Sequence, residues 1–161
     1  MNHNALTYQI ACQAGTYNPN EGGQSHLSCL LADVGQFVPV EALTEQIRCP
    51  LGTFADEKGS MGCKEAAPGY MVSSTASDSA TACPLGAYQP ASGEDACIPA
   101  EQGFFVPTTA SINQTPCPVG TTTLGEGSVN ATSCFDDADN DGLANIVDDD
   151  DDNDGVMDGD D

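Results

Sequence analysis

The chain predicts a small, disulfide-rich fold, mostly β-strand and irregular structure, built as an array of repeats. Three observations carry that expectation. Cysteines recur at a fixed interval: Cys49, Cys83 and Cys117 lie 34 residues apart, and so do Cys29, Cys63 and Cys97. The residues between them recur as well. The opening reads CQAGTY at Cys12, CPLGTF at Cys49, CPLGAY at Cys83 and CPVGTT at Cys117. A second signature, Ala32, Gly35, Phe37 and Val38, returns as Ala66, Gly69, Met71 and Val72, then as Ala100, Gly103, Phe105 and Val106. A period of this size marks a linear array of small units, each touching mainly its neighbours. Finally, large apolar residues are scarce: Leu, Ile, Val and Phe total 28 of 161 residues, and the net charge is −22. Such a chain stays disordered unless something staples it, and eight cysteines supply the staples.

Taken in order, residues 1–11 form a polar lead-in with one short strand expected at residues 6–10. This stretch lacks the charged start and apolar middle of a signal peptide. For a secreted protein that implies a mature form or a piece of something longer. Residues 12–48 are the first repeat, three residues longer than the next, with the insertion between Cys12 and Cys29. Asn18, Pro19, Asn20, Glu21, Gly22 and Gly23 favour a loop there. Leu43 and Ile47 stand at helical spacing, but the counterpart stretches 73–82 and 108–116 are rich in Ser and Thr, so at most a helical turn is expected. Residues 49–82 and 83–116 are the second and third repeats, and 117–134 a closing half repeat, again three residues longer. Frequent Gly and Pro break any longer element, so short strands and turns should dominate.

The gaps between successive cysteines alternate 17, 20, 14, 20, 14, 20 and 17. Pairing across the shorter gaps gives Cys12–Cys29, Cys49–Cys63, Cys83–Cys97 and Cys117–Cys134, with no thiol left over. Pairing across the gaps of 20 would strand Cys12 and Cys134. Each short loop should contribute about 3 kcal/mol by restricting the unfolded chain.

Composition excludes several classes of function. Only Arg48, Lys58 and Lys64 are basic, so a phosphate backbone is repelled and no nucleic-acid partner is expected. No run of about 18 apolar residues offers a membrane span. Structural disulfides place the chain in an oxidising compartment, extracellular or at the cell surface. His3 and His26 are the only histidines and stand in no partner motif, as ordinary surface groups do. The cysteines lack C-x-x-C spacing, which sets zinc and redox readings aside. No nucleophile elbow, phosphate loop or HExxH occurs, and no acid/base pair converges, so the chain is not expected to be an enzyme. Asn113-Gln114-Thr115 and Asn130-Ala131-Thr132 make Asn113 and Asn130 candidate glycosylation sites. Phe104 and Phe105 should pack between repeats, with an assembly surface as the alternative.

The openings CPLGTF at Cys49 and CPLGAY at Cys83 resemble the Cys-rich repeats of ephrin receptors and, more loosely, of the tumour-necrosis-factor receptor family. The resemblance covers residues 12–134 and implies an extended, disulfide-stapled extracellular rod. Receptor modules of this kind often carry more than the two cysteines per unit found here, so no ligand-binding residue carries over.

Residues 135–161 differ in chemistry. From Asp136 to Asp161, 13 of 26 residues are Asp. Charge blocks are usually solvated tails, but the spacing here argues for a bound ion. Asp137, Asp139, Asp141, Gly142, Asn145 and Asp148 occupy positions 1, 3, 5, 6, 9 and 12 of a loop. Thirteen residues on, Asp150, Asp152, Asp154, Gly155, Asp158 and Asp161 repeat them. Ca²⁺ takes six to eight hard oxygens, and alternate carboxylates on a turning backbone can converge on one ion. Glycine at position 6 allows the sharp turn, and the backbone carbonyl at position 7, Leu143 or Val156, turns inward. An EF-hand needs a helix on each side of every loop; Cys134 stands just before the first loop and Asp149 alone separates the two, which leaves no room. The pair DxDxDGxxNxxD and DxDxDGxxDxxD instead resembles thrombospondin type 3 repeats, in the prokaryotic style without cysteines between loops. In such repeats the backbone winds around a string of calcium ions.

These readings converge on a non-catalytic, extracellular, calcium-binding structural or adhesive protein. Its expected partner is a second copy, with assembly into filaments, or another extracellular protein or glycan. The alternative is a receptor-like ectodomain that captures a protein or glycan ligand.

Overall fold

The structure, a computed structural model, describes residues 11–20, 28–150, 152, 153 and 157. The strand expected at 6–10, both histidines and most of the second acidic loop lie outside the described residues. Within them the chain forms seven antiparallel hairpins of very short strands. β1 (Thr16–Tyr17) pairs with β2 (Leu30–Leu31), β3 (Gln36–Phe37) with β4 (Ile47–Arg48), and β5 (Thr53–Phe54) with β6 (Lys64–Glu65). β7 (Tyr70–Met71) pairs with β8 (Thr81–Ala82), β9 (Ala87–Tyr88) with β10 (Ile98–Pro99), and β11 (Phe104–Phe105) with β12 (Thr115–Pro116). Last, β13 (Thr121–Thr123) pairs with β14 (Cys134–Asp136). No α-helix occurs among the described residues; a 3-10 turn at Ala131–Ser133 precedes β14. Among them, no helix is long and apolar enough to cross a membrane.

A two-stranded ribbon this short is not stable by itself, and backbone bonds to the next hairpin make up the deficit. The chain divides into two compact units, Met1–Ala66 with Val72–Ala80, and Ala67–Met71 with Thr81–Asp161. In the first unit each hairpin closes on the carbonyl of the glycine before its first strand: Ala32 N–H on Gly15 (2.9 Å), Cys49 on Gly35 (2.9 Å) and Ala66 on Gly52 (2.8 Å). The same glycines donate onward, to the carbonyls of Val38 (2.8 Å), Ala55 (2.7 Å) and Val72 (2.9 Å). The second unit repeats the device. Cys83, Ala100 and Cys117 close on Gly69, Gly86 and Gly103, while Gly69 and Gly86 donate onward to Gln89 (2.7 Å) and Val106 (2.9 Å). At Gly103 the onward acceptor changes to the Thr123 hydroxyl, 3.0 Å away.

These glycines, at 35, 52, 69, 86, 103 and 120, are 17 residues apart. Each 34-residue sequence repeat is therefore two structural units. One carries a cysteine at the buried closing position and the next an alanine.

The core is small, as the composition requires. Ala32, Ala66, Ala100, Val38, Val106, Cys49 and Cys83 are fully buried, whereas Leu51, Leu85 and Val119 are exposed. Phe104 and Phe105 are half-buried in β11. Stapling compensates for the missing apolar volume. The disulfides join Cys12–Cys29, Cys49–Cys63, Cys83–Cys97 and Cys117–Cys134, with Cα–Cα distances of 5.6, 5.8, 5.7 and 5.8 Å. They close alternate hairpins.

Two of the intervening hairpins carry a side-chain clamp instead. Gln46 accepts the Asp33 N–H (2.7 Å) and donates to the Asp33 carboxylate (3.0 Å) across β3–β4. Gln114 accepts the Glu101 N–H (2.8 Å) and donates to its carboxylate (2.9 Å) across β11–β12. The β7–β8 hairpin has Ala67 and Ala80 at the corresponding positions.

Candidate metal centre

The acidic segment begins inside the last hairpin. β14 ends at Asp136, and the Asp137 N–H closes on the Gly120 carbonyl at 2.9 Å. That is the bond made by Ala32, Cys49, Ala66, Cys83, Ala100 and Cys117 before it. The register that buries Ala32, Cys49, Ala66, Cys83 and Ala100, and half-buries Cys117, here buries a carboxylate. Asp137 is 5% exposed, and its Oδ1 is buried without a hydrogen-bond partner.

Beyond Asp137 the backbone folds into a run of side-chain turns. Asp139 Oδ1 accepts the Asp141 N–H (3.1 Å), and Asp141 Oδ1 accepts the Leu143 N–H (2.7 Å). Asn140 at φ 61° and Gly142 at φ 98° supply the left-handed residues that tighten the loop; Asn tolerates that region better than most side chains, and glycine has no steric objection to it. Asn145 closes the loop from the far side. Its N–H donates to the Asp136 carbonyl (2.8 Å), and its side-chain oxygen accepts the Ala138 N–H (2.9 Å). Ala144, 1% exposed, is the buried apolar anchor of the segment. From outside the segment, Gln102 Nε2 donates to the Gly142 carbonyl at 2.6 Å.

The result is convergence. Asp137, Asp139 and Asp141 each present a carboxylate oxygen, and these oxygens lie within 4.8 Å of one another. Oxygens bound at 2.3–2.6 Å to one Ca²⁺ can be at most about 5 Å apart, so the triangle fits a single ion of that size. Without a cation, carboxylates at this separation repel by roughly 3 kcal/mol per pair at an effective dielectric near 20, before solvent screening. Asp148 lies outside the triangle; it is half-buried, and its Oδ1 accepts the Asp150 N–H at 3.2 Å.

Of the second loop, Asp150, Asp152, Asn153 and Met157 are described, whereas Asp154, Val156, Asp158 and Asp161 are not among the described residues. Asn153 repeats the conformation of Asn140 thirteen residues earlier, at φ 57°, and its Nδ2 donates to Asp139 Oδ2 at 2.8 Å. The two loops are thus joined side chain to side chain.

The candidate glycosylation residues Asn113 and Asn130 are both exposed. Asn130 caps the 3-10 turn through its Oδ1, which accepts the Thr132 N–H at 3.0 Å and also the Thr132 hydroxyl.

No protein-family model matches the chain, and a search of curated proteins gives no match.

Three features of the site were not read from the sequence: the burial of Asp137, the role of Gln102 and the closure by Asn145. A 17-residue alignment holds the signal for the first two. In it, once the three extra residues of the closing half repeat are allowed for, Asp137 follows the series Ala32, Cys49, Ala66, Cys83, Ala100, Cys117. Gln102 falls in the series Val34, Leu51, Pro68, Leu85, Gln102, Val119, where it is the one polar side chain.

Proposed function

We propose that the protein is a non-catalytic, extracellular structural or adhesive protein whose C-terminal segment binds Ca²⁺. The observation that carries the calcium reading is the buried, unpartnered Oδ1 of Asp137 in a triangle of three carboxylates. A native fold rarely leaves such a group unsatisfied, because the desolvation cost goes unrecovered. A cation supplies the missing partner.

An all-oxygen donor set suits a hard ion and disfavours metals that prefer thiolate or imidazole. Flexible loop ligands suit Ca²⁺ better than Mg²⁺, which demands near-octahedral geometry and keeps its waters. In this reading the Leu143 carbonyl, Asn145 and Asp148 complete the first site, and Asp150, Asp152, Asp154, Val156, Asp158 and Asp161 form the second.

The structural or adhesive role rests on the array itself. Its disulfides suit an oxidising exterior, and exposed aliphatics such as Val34 and Leu51, or Leu85 and Val119, suit contact with a second copy or another extracellular protein. A receptor-like ectodomain remains the second reading, supported by the same apolar side chains.

Titration calorimetry on the full chain tests the calcium reading. Ca²⁺ is expected to bind well above Mg²⁺, and Asp141→Ala to remove one site. Equal binding of the two ions, or none, reduces the segment to a solvated acidic stretch.

A further inference from the structure

The closing position of the hairpins is where the acidic segment joins the fold, and its chemistry ties the ion to the hairpin. Cys83, Ala100, Cys117 and Asp137 each donate their N–H to a glycine carbonyl of the same hairpin, at 2.9, 2.8, 2.8 and 2.9 Å. Cys83 and Ala100 are fully buried there, and Asp137 nearly so. The position therefore calls for a small apolar side chain, and three of the hairpins fill it with Ala32, Ala66 or Ala100. At the last hairpin it holds a carboxylate whose Oδ1 has no partner. Buried in that way, the charge opposes closure of β13–β14; with a cation beside it, the same charge favours closure.

A second contact makes the link two-sided. Gln102, in the turn before Gly103, reaches 40 residues along the chain to the Gly142 carbonyl. Gly142 sits at the bend between Asp141 and Leu143, so this bond holds the ligand loop against the hairpins.

We propose that Asp137 makes the closure of the last hairpin conditional on the cation, and that Gln102 is the positioning residue that docks the loop. The ion then acts as the cap of this end of the repeats, a role that terminal units of repeat arrays must fill. The proposal rests on the cation reading above and adds a direction to it. Ligand binding to the folded state alone raises stability by mass action. The parent chain should therefore be stable with Ca²⁺ and penalised without it.

The test is thermal unfolding of the full, disulfide-intact chain in excess chelator and in excess Ca²⁺, with calorimetry alongside. Asp137→Ala installs the residue that Ala100 provides two hairpins earlier. In chelator it should unfold at a higher temperature than the parent, and in Ca²⁺ at a lower one, so the order reverses. Asp141→Ala, which removes an exposed carboxylate, should lose the calcium-dependent rise, with a smaller gain in chelator than Asp137→Ala because solvent screens the repulsion it relieves. Gln102→Ala should keep the parent's melting temperature in chelator while weakening Ca²⁺ binding about 10- to 100-fold, the usual cost of removing an outer-shell partner.

If the parent binds Ca²⁺ but Asp137→Ala is less stable in both conditions, the coupling is wrong and the cation reading stands. Unchanged affinity in Gln102→Ala overturns the docking role. If the parent binds no cation, both readings fall together.

Discussion

At the scale of single residues, the fold turns on backbone positions where a methyl group decides the outcome. Gly69 has φ +83°, and a Cβ there would stand 2.3 Å from the Ala110 carbonyl oxygen. Ala110 in turn sits in the left-handed region at φ 56°, as Ala42 and Ala76 do at 64° and 59°. Gly120 separates the two penalties, because its φ is +77° but nothing lies within 4 Å of its would-be Cβ. Left-handed backbone costs a side chain roughly 1–2 kcal/mol, and a forced backbone clash adds roughly another 1–3. Gly69→Ala should therefore lose about 3 kcal/mol and Gly120→Ala about 1. Ala110→Gly relieves strain but frees the unfolded chain, for a net gain of up to about 1 kcal/mol. Denaturant unfolding of the three variants checks the order; equal losses at Gly69 and Gly120 would remove the steric term.

At the scale of elements, hairpins alternate between two ways of holding their ends together. Cys29, Gln46, Cys63, Ala80, Cys97 and Gln114 stand 17 residues apart, each just before a second strand. A disulfide or a glutamine clamp follows from the residue present, except at β7–β8, where Ala80 offers neither. Amide exchange at Met71 and Thr81 should accordingly be the fastest among the paired strands, and Gln114→Ala should bring Phe105 toward the same rate. Exchange at Met71 no faster than at Phe105 in the parent chain would contradict the clamp's role. The clamp at Asp33 is also sensitive to acid. Hydrogen bonding from Gln46, and then Lys58, holds its carboxyl below the ordinary range. Its contribution is therefore present above the ordinary carboxylate value and lost as pH falls through the lowered one.

The disulfide framework was legible in the sequence because cysteine is a rare letter at a fixed interval. The clamps were not, because a glutamine's partner depends on strand register and many exposed positions accept the residue. Asp137 was legible as a loop position but not as a buried one. Its burial follows from the alternation Ala32, Cys49, Ala66, Cys83, which appears only when the 34-residue period is halved, and reaches Asp137 only when the three extra residues of the closing half repeat are allowed for.

At the scale of the whole molecule, apolar burial is too slight to hold the chain, and covalent closure takes its place. Among the described residues, the fully buried side chains are no larger than Val38 and Val106. Loops with cysteine separations of 17, 14, 14 and 17 restrict the unfolded chain by about 3 kcal/mol each. Taken together, that is comparable to the entire stability of an ordinary domain, about 5–15 kcal/mol. Charge works in the opposite direction, since a net −22 favours expansion wherever cations do not neutralise it. Full reduction should therefore unfold the hairpins at ambient temperature, with loss of amide protection throughout β1–β14. Excess Ca²⁺ should not restore it, because Asp137 joins the proposed cation site only while Cys117–Cys134 and the Gly120 bond hold β13 against β14. Hydrogen exchange on the reduced chain, with and without Ca²⁺, measures this directly. Protection that survives reduction would mean that the backbone bonds between hairpins, and not the disulfides, carry the fold.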